Sequence, residues 1–201
     1  MNWNDKKVLI IGAGGIGSHV AFEVGNLIEL GQINPYIDFT LADDDRVELE
    51  QIRYQNFLAD EVGMNKAEAI TNRCFLKHST ERITSERQLK PYDIIIMCVD
   101  NNPTRELVIN HIHKYDKHLI DLRAEGRNIF ALAVLHNGTE KDLEEHLATL
   151  DLKDNASGSC QTDLDKNEIH MGNRIVAYIG TQMLLNYLRG HTQQEKILLR
   201  I

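Results

Sequence analysis

The chain contains few cysteines, few prolines and no long apolar run. It has three cysteines, three prolines and one tryptophan in 201 residues, and no two cysteines form a CxxC pair. This spacing argues against a disulfide framework and against a paired-cysteine zinc site, and it predicts a reducing compartment, by default the cytoplasm. No apolar segment approaches the ~20 residues that span a membrane, and the short polar start does not resemble a signal peptide.

Basic residues are also scarce. The chain has 22 lysines and arginines against 30 aspartates and glutamates, so its formal net charge is −8. A negative chain is a poor general ligand for nucleic acids or anionic membranes, although local dipoles can still bind a small anion. With this length, no internal repeat and no dividing linker, residues 1–201 are predicted to form one domain with a substantial core.

The clearest motif lies near the start of the chain. An apolar run, Lys7–Ile11, is followed by a glycine turn (residues 12–17) of pattern G-x-G-x-x-G and then by a helical pattern. Strand, glycine turn and helix in this order are typical of nucleotide binding. Gly12 allows the tight turn, Gly14 lets amides approach a phosphate, and Gly17 lets the helix approach the strand. A glycine turn that only packs is the alternative.

The remaining patterns predict a doubly wound α/β fold. A continuous apolar strand at 91–99 indicates burial on both faces of a mostly parallel sheet, and strands at 118–122 and 128–135 are close enough for an antiparallel extension. Other strands are predicted at 36–42, 82–84 and 196–201, and helices at 16–30, 63–75, 102–115, 139–150 and 173–188, with Gly190 ending the last. Residues 151–172 form a polar segment without periodicity.

Charged residues follow several of these elements. Asp43 and Asp45 end the second strand, where dinucleotide-binding folds hold a ribose, although three acids in a row also suit a solvated turn. Lys66 lies in the first turn of a helix, where its charge opposes the helix dipole and suggests a role elsewhere. Asp100 follows the central strand, at the edge where such sheets bind ligands, although a capping role is the alternative.

The other residues with metal-binding or nucleophilic side chains are expected to be structural. His111 and His113 are two residues apart on a helix, so they cannot chelate one ion, and the remaining histidines are expected at the surface. Cys74 and Cys98 are expected in the core.

Taken together, the motifs resemble the ThiF/MoeB/HesA family of adenylating enzymes, which are bacterial relatives of ubiquitin-activating enzymes. The resemblance extends from about residue 7 to residue 190. It depends on an ordered set of motifs: the glycine turn with Ser18, Asp43-x-Asp45-x-Val47 with Arg53, Val62-Gly63-x-x-Lys66-Ala67, and Cys98-x-Asp100-Asn101 with Arg105.

The resemblance implies a reaction and a set of roles. A protein C-terminal carboxylate attacks the α-phosphate of ATP, pyrophosphate leaves, and an acyl-adenylate forms; the usual acceptor is a small ubiquitin-like or sulfur-carrier protein ending in Gly-Gly. Arg53 and Lys66 would hold phosphates, and Asp100 would bind Mg²⁺. The nucleotide site would further include Asp43, Asp45, Gln51 and the backbone of Gly12, Gly14, Gly15 and Gly17. Relatives are commonly homodimers.

The chain departs from the family pattern in three places. The segment Gln51-Ile52-Arg53-Tyr54-Gln55 stands where an Asn-Leu-x-Arg-Gln motif is usual, the paired CxxC zinc sites are absent, and no arginine precedes the first strand. Many family members supply an arginine from an N-terminal helix of the partner subunit. We therefore expect either that another arginine takes its place here, or that activity is weakened or lost. Cys160, in the polar crossover segment, is a candidate acceptor of the acyl group or sulfur, or an incidental loop cysteine.

Two other functions stay open at this stage. The altered motif suits a degenerate nucleotide-binding or scaffold subunit, which would bind without turnover. The glycine turn and Asp43 also allow an NAD-dependent oxidoreductase, although no Tyr-x-x-x-Lys pair follows. A comparison of NADH binding with ATP binding distinguishes the oxidoreductase from an ATP-binding protein.

Overall fold

The computed structural model describes residues 6–115, 117–125, 128–134, 139–151, 171–191 and 195–200. The elements in this part are β1 (Lys7–Ile11), α1 (Gly17–Glu29), β2 (Asp38–Ala42), α2 (Lys66–Cys74), β3 (Lys77–Ser79), α3 (Glu86–Leu89), β4 (Ile94–Met97), α4 (Asn102–Tyr115), β5 (His118–Glu125), β6 (Asn128–Val134), α5 (Glu140–Asp151), α6 (Gly172–Arg189) and β7 (Lys196–Arg200). Two 3-10 segments, Leu49–Arg53 and Ala59–Glu61, lie between β2 and α2.

The strands form one sheet in the order β3-β2-β1-β4-β5-β6-β7. The first five in this order are parallel, β6 is antiparallel to β5, and β7 is antiparallel to β6. In the centre, Ile10 of β1 stands between Leu41 of β2 and Ile96 of β4. This topology confirms the predicted doubly wound, mostly parallel sheet with an antiparallel extension.

Helices cover both faces of the sheet. The alternation of β4 shows why, since Ile94 and Ile96 face one apolar cluster with α1, α2 and α6, whereas Ile95 and Met97 face a second with α3, α4 and α5. The strand is therefore buried on both sides, as its unbroken apolar sequence predicted. No α-helix in the described part is both long and apolar enough to cross a lipid bilayer.

Two local predictions were wrong. The strand expected at 82–84 lies earlier, at β3, where Lys77–Ser79 pair with the end of β2 at the sheet edge. This edge strand is polar and partly exposed, so it has no apolar alternation to reveal it. The helix expected from residue 63 begins only at Lys66, because Asn65 has an extended backbone and its side chain caps the helix.

The predicted crossover segment at 151–172 lies almost entirely outside the described residues, and Cys160 lies within that omitted part. The structure describes only its two ends, where α5 finishes at Asp151 and α6 begins at Gly172.

Candidate functional site

The topology opens a crevice between β1 and β4. These strands are neighbours, but α1, which follows β1, and α4, which follows β4, lie on opposite faces of the sheet. A parallel sheet of this kind binds ligands at this point, beyond the carboxyl ends of its strands. The glycine turn follows β1 here, and the segment from Cys98 to Asp100 follows β4.

The glycine turn needs its glycines for steric reasons. Gly12 has φ +92°, a conformation that favours glycine, and a Cβ there would lie 3.1 Å from the backbone of Cys98. A Cβ on Gly17 would lie 1.7 Å from the carbonyl oxygen of Gly12, so no other residue fits without rearrangement. The tight turn and the close approach of helix to strand, predicted from these two residues, are therefore present.

The middle of the turn presents unused hydrogen-bond donors. Within the described chain, the amides of Gly14, Gly15 and Ile16 donate to no backbone or side-chain acceptor. The space beside Gly14 is open, since a Cβ there would meet no atom within 4 Å. These amides precede the 13-residue helix α1, whose dipole adds positive potential at the same place. The turn can therefore bind an anion.

Asp43 connects the second strand to this turn. Its Oδ2 accepts from the amide of Ala13 at 2.6 Å, and its Oδ1 accepts from the amide of Asp45 at 2.8 Å. Burial raises the pKa of Asp43 above its ordinary value, although both amides and Lys66 act against this rise. Each carboxylate oxygen retains a lone pair, so Asp43 can accept further from a ligand hydroxyl.

Lys66 lies against the loop that follows β2. Its Nζ is 3.0 Å from Oδ2 of Asp45, and its side chain is 7% exposed whereas that of Asp45 is 68% exposed. Its amide also donates to the carbonyl of Asp45 at 2.9 Å. The structure thus brings the predicted residues Asp43, Asp45 and Lys66 together beside the glycine turn.

Asn65 organises this arrangement, and its role was not predicted from the sequence. Its Oδ1 accepts from the amide of Glu68 at 3.1 Å, which caps α2. Its Nδ2 donates to the carbonyls of Asp43 at 2.8 Å and Asp45 at 3.1 Å. An asparagine directly before a helix is a common capping signal and could have located this residue.

The acidic loop also offers oxygen ligands to a cation. Carboxylate oxygens of Asp43, Asp44 and Asp45 lie within 4.8 Å of one another, the one group of three or more metal-ligating side chains found in the described ranges. An all-oxygen set suits Mg²⁺ rather than zinc. Backbone amides bind Asp43, Lys66 pairs with Asp45, and Arg82 lies 4.0 Å from Asp44, so the loop is partly neutralised without a metal.

The other predicted residues lie on loops at the same edge of the sheet. Asp100 is exposed and lies three residues beyond β4, and Arg53 is exposed at the end of the first 3-10 segment. Gln51 is used locally, since its side chain accepts from the amide of Glu48 at 3.2 Å and donates to the Glu48 carboxylate at 3.3 Å. The nucleotide roles of Arg53, Gln51 and Asp100 stay predictions.

A second group of charges is buried, and the sequence analysis did not identify it. Asp121 in β5 accepts from Nη1 of Arg105 at 2.6 Å and from Nε of Arg123 at 3.0 Å, and it lies 3.3 Å from Nε2 of His146. All four side chains are at most about one-tenth exposed. Burial alone would raise the pKa of Asp121, but Arg105, His146 and Arg123 together hold it well below its usual range.

One member of this buried group also contacts the crevice. Arg105 also donates to the carbonyl of Val99, the residue before Asp100. The expectation that the remaining histidines lie at the surface was wrong for His146, which is buried. An aspartate inside the apolar strand β5 was the available signal, because a charge at such a position requires partners.

Cys74 and Cys98 are structural thiols. Cys74 is buried, as predicted, and burial raises its pKa to about 11. Cys98 is half-buried beside the glycine turn, and burial raises its pKa further. A thiol in that state is a poor nucleophile at neutral pH.

The sequence of the whole chain decides its family. Residues 1–200 match the ThiF family. The chain belongs to the ThiF family. Two curated relatives are similar to this ThiF-family chain: the ATP-dependent ubiquitin transferase-like protein Cap2 of Enterobacter hormaechei, 29% identical over 82% of the chain, and the adenylyltransferase and sulfurtransferase MOCS3 of Caenorhabditis briggsae, 29% identical over 53%. The chain spans 28% of the length of each.

A solved structure agrees on the fold of this ThiF-family chain. Escherichia coli MccB, crystallised with AMPCPP and MccA, superposes with a TM-score of 0.68 over 99% of this chain and 61% of MccB. The two sequences are 19% identical, so this likeness concerns the fold. The chain therefore has a ThiF-family fold, which MccB shares, and its sequence is similar to that of MOCS3.

Proposed function

We propose that this protein uses ATP and Mg²⁺ to adenylate the C-terminal carboxylate of a small protein or peptide. The observation that carries the proposal is the set of amides at Gly14, Gly15 and Ile16, for which the described residues offer no acceptor, with Lys66 and Asp45 beside the same turn. Membership of the ThiF family and similarity to a protein named as an adenylyltransferase support it.

In this reaction a carboxylate oxygen of the acceptor forms a bond to the α-phosphorus of ATP. The bond from that phosphorus to the bridging oxygen of the β-phosphate breaks, and pyrophosphate leaves with the electron pair. A carboxylate is a weak nucleophile, so the site must act mainly by positioning both reactants and by stabilising negative charge on the phosphates.

Different residues of the chain bind the phosphates and the ribose of ATP. The amides of the glycine turn bind phosphate oxygens, and Lys66 supplies a point charge beside them. Arg53 adds a planar guanidinium that binds two oxygens at once. Asp43, oriented by the amides of Ala13 and Asp45, accepts from a ribose hydroxyl.

Mg²⁺ fits the oxygen donors of this edge, and Asp100 is the residue proposed to hold it. When bound, the ion neutralises phosphate charge and orients the phosphates. Arg105 donates a hydrogen bond to the carbonyl of Val99 and thereby fixes the start of the segment that carries Asp100. Asp45 holds Lys66 in place until a ligand arrives.

The acceptor we propose is a small ubiquitin-like or sulfur-carrier protein that ends in Gly-Gly. MOCS3 is named as an adenylyltransferase and sulfurtransferase, Cap2 as ubiquitin transferase-like, and MccB was crystallised with MccA. Transfer to Cys160 and assembly as a homodimer extend this proposal.

The proposal is tested by nucleotide binding and by ATP–pyrophosphate exchange. We expect wild-type protein to bind ATP with Mg²⁺ in preference to NADH, and to exchange pyrophosphate into ATP when an acceptor ending in Gly-Gly is present. Lys66→Met should weaken ATP binding about tenfold or more, because it removes a charged phosphate contact. The matched control is Lys77→Met, since Lys77 is exposed and pairs with Asp38 at the far edge of the sheet.

Each contrary result selects a different conclusion. NADH binding without ATP binding would favour an oxidoreductase. ATP binding without exchange for a panel of Gly-Gly acceptors would favour a nucleotide-binding subunit without turnover. Equal ATP affinities of the Lys66 and Lys77 variants would contradict the role of Lys66.

A further inference from the structure

The first turn of α6 reaches the glycine turn from the side opposite Lys66. The helix crosses the sheet face against the direction of β5, with Gly180 against Leu122 and the Tyr187 ring in tilted contact with His118, their centroids 4.3 Å apart. His118 begins β5, so the start of α6 must lie at the carboxyl end of the parallel strands. The residues there are Asn173 and Arg174.

Asn173 contacts the glycine turn directly. An ideal Cβ on Gly15 would lie 2.3 Å from Nδ2 of Asn173, so the side-chain amide occupies the place that any other residue at position 15 would need. The same turn carries the amides of Gly14, Gly15 and Ile16, which have no acceptor in the described chain. Asn173 therefore adds a polar side chain beside these backbone donors.

Arg174 places a positive charge beside the first turn of α1. It is exposed, and within the described residues no carboxylate lies within 4.0 Å of its side-chain nitrogens. Its charge acts on His19, two residues beyond Gly17: burial first, and Arg174 second, lower the pKa of His19 to about 4. Arg174 is thus close enough to α1 to influence groups at the start of that helix.

The charges at this edge leave a need for such a cation. Asp43, Asp44, Asp45 and Asp100 all follow strands at the carboxyl edge; the charge of Lys66 is already matched by Asp45 at 3.0 Å, and Arg82 lies 4.0 Å from Asp44. A nucleoside triphosphate adds several more negative charges. A guanidinium that no described carboxylate neutralises can offset part of that repulsion.

We propose that Asn173 and Arg174, at the start of α6, bind phosphate oxygens of the nucleoside triphosphate held by the glycine turn. This inference rests on the proposed function, because it needs a triphosphate at the turn. Lys66 and Arg174 would then approach the phosphates from opposite sides.

The test compares two arginines of the same helix. Arg174→Ala and Asn173→Ala are measured against Arg189→Ala, since Arg189 lies at the other end of α6 and pairs with Gln32 at 3.1 Å. Titration calorimetry gives the affinity of each protein for Mg-ATP and for AMP, and urea unfolding confirms that each variant is folded. Arg174→Lys distinguishes a planar fork from a simple charge.

We expect Arg174→Ala to weaken ATP binding about tenfold or more, by the loss of a charge-assisted contact, and to weaken AMP binding less. Asn173→Ala should have a smaller effect, Arg174→Lys should restore part of the affinity, and Arg189→Ala should match wild type. ATP affinity in folded Arg174→Ala and Asn173→Ala equal to that of Arg189→Ala would overturn the inference and leave the proposed function intact. Failure of the wild type itself to bind ATP would instead overturn the proposed function.

Discussion

Two clusters of charged side chains lie in this protein, and they differ in their exposure to water. The solvent-facing cluster consists of Asp43, Asp45 and Lys66, after β2 and at the start of α2; the side chain of Asp45 is 68% exposed, whereas that of Lys66 is 7% exposed. The buried cluster consists of Arg105, Asp121, Arg123 and His146, and Asp121 has no exposed surface. Ion pairs in water contribute little to stability, whereas removing one partner of a buried pair is costly.

This difference in exposure suits the first cluster to ligand binding and the second to stabilising the fold. In the solvent-facing cluster, Asp45 is open to water, so its carboxylate stays solvated when a ligand anion takes its place beside the largely buried Lys66. In the buried cluster each partner needs the others, and Arg105 also holds the carbonyl of Val99 beside Asp100. The first cluster can exchange partners during a reaction, and the second fixes the backbone at Val99, beside the crevice.

The sharpest test of the comparison removes one carboxylate from each cluster. Asp121→Asn leaves two buried guanidinium groups without their anion, so we expect a loss of about 3–5 kcal/mol in the free energy of unfolding. Asp45→Asn should cost less, about 1–2 kcal/mol, because Asp45 itself is largely exposed even though its partner Lys66 is only 7% exposed. Urea unfolding measures both, and a similar loss in the two variants would remove the distinction.

A second test concerns two glycines of the same turn. Gly17→Ala should reduce the free energy of unfolding by about 2 kcal/mol or more, because its Cβ would lie 1.7 Å from the carbonyl oxygen of Gly12. Gly14→Ala should change stability by less than about 0.5 kcal/mol, since the space beside it is open. If Gly14→Ala lowers ATP affinity while thermal and urea unfolding stay unchanged, that space belongs to the ligand.

A third and smaller effect depends on pH. The unfolded chain protonates His19 near pH 6.5, whereas the folded protein does so only near 4, so the unfolded state binds more protons between these values. The free energy of unfolding should therefore fall as the pH drops from 7 to about 4.5, by about 1 kcal/mol once solvent screening of this partly exposed ring is allowed for.

The variant His19→Gln isolates this contribution. Its unfolding free energy should depend less on pH over the same interval, whereas Asp121, with its lowered pKa, keeps its contribution until the solution is strongly acidic. Urea titrations of wild type and His19→Gln at pH 7.5, 6 and 4.5 provide the measurement. Parallel pH profiles for the two proteins would contradict the lowered pKa of His19.

The sequence predicted the features that depend on neighbouring residues. The glycine turn, the apolar strand β4 and the antiparallel pair β5–β6 each have a local pattern, and the structure has all three. β3 was misplaced because an exposed edge strand needs no apolar alternation. The buried cluster was missed because its members come from α4, β5 and α5, and only the fold brings them together.

In the candidate site too, local patterns were predictable from the sequence and contacts between distant residues were not. The residue types at Asp43 and Lys66 indicated a site at the strand ends, but their connection through Asn65 depends on two hydrogen bonds to the loop after β2 and one within the first turn of α2. The proximity of Asn173 to Gly15 could not be predicted either, since 157 positions separate them in the chain and the contact depends on how α6 crosses the sheet.

The hydrogen bonds of Asn65 have a consequence for how tightly the site can discriminate among ligands. One amide side chain fixes both the acidic loop and the first turn of α2, so the carboxylates and the lysine amine keep a constant separation before any nucleotide arrives. Such preorganisation lowers the entropy lost on association and penalises molecules whose groups are spaced differently. Selectivity at this end of the crevice therefore comes from rigidity, and replacing Asn65 would broaden the range of nucleotides accepted before it abolished binding.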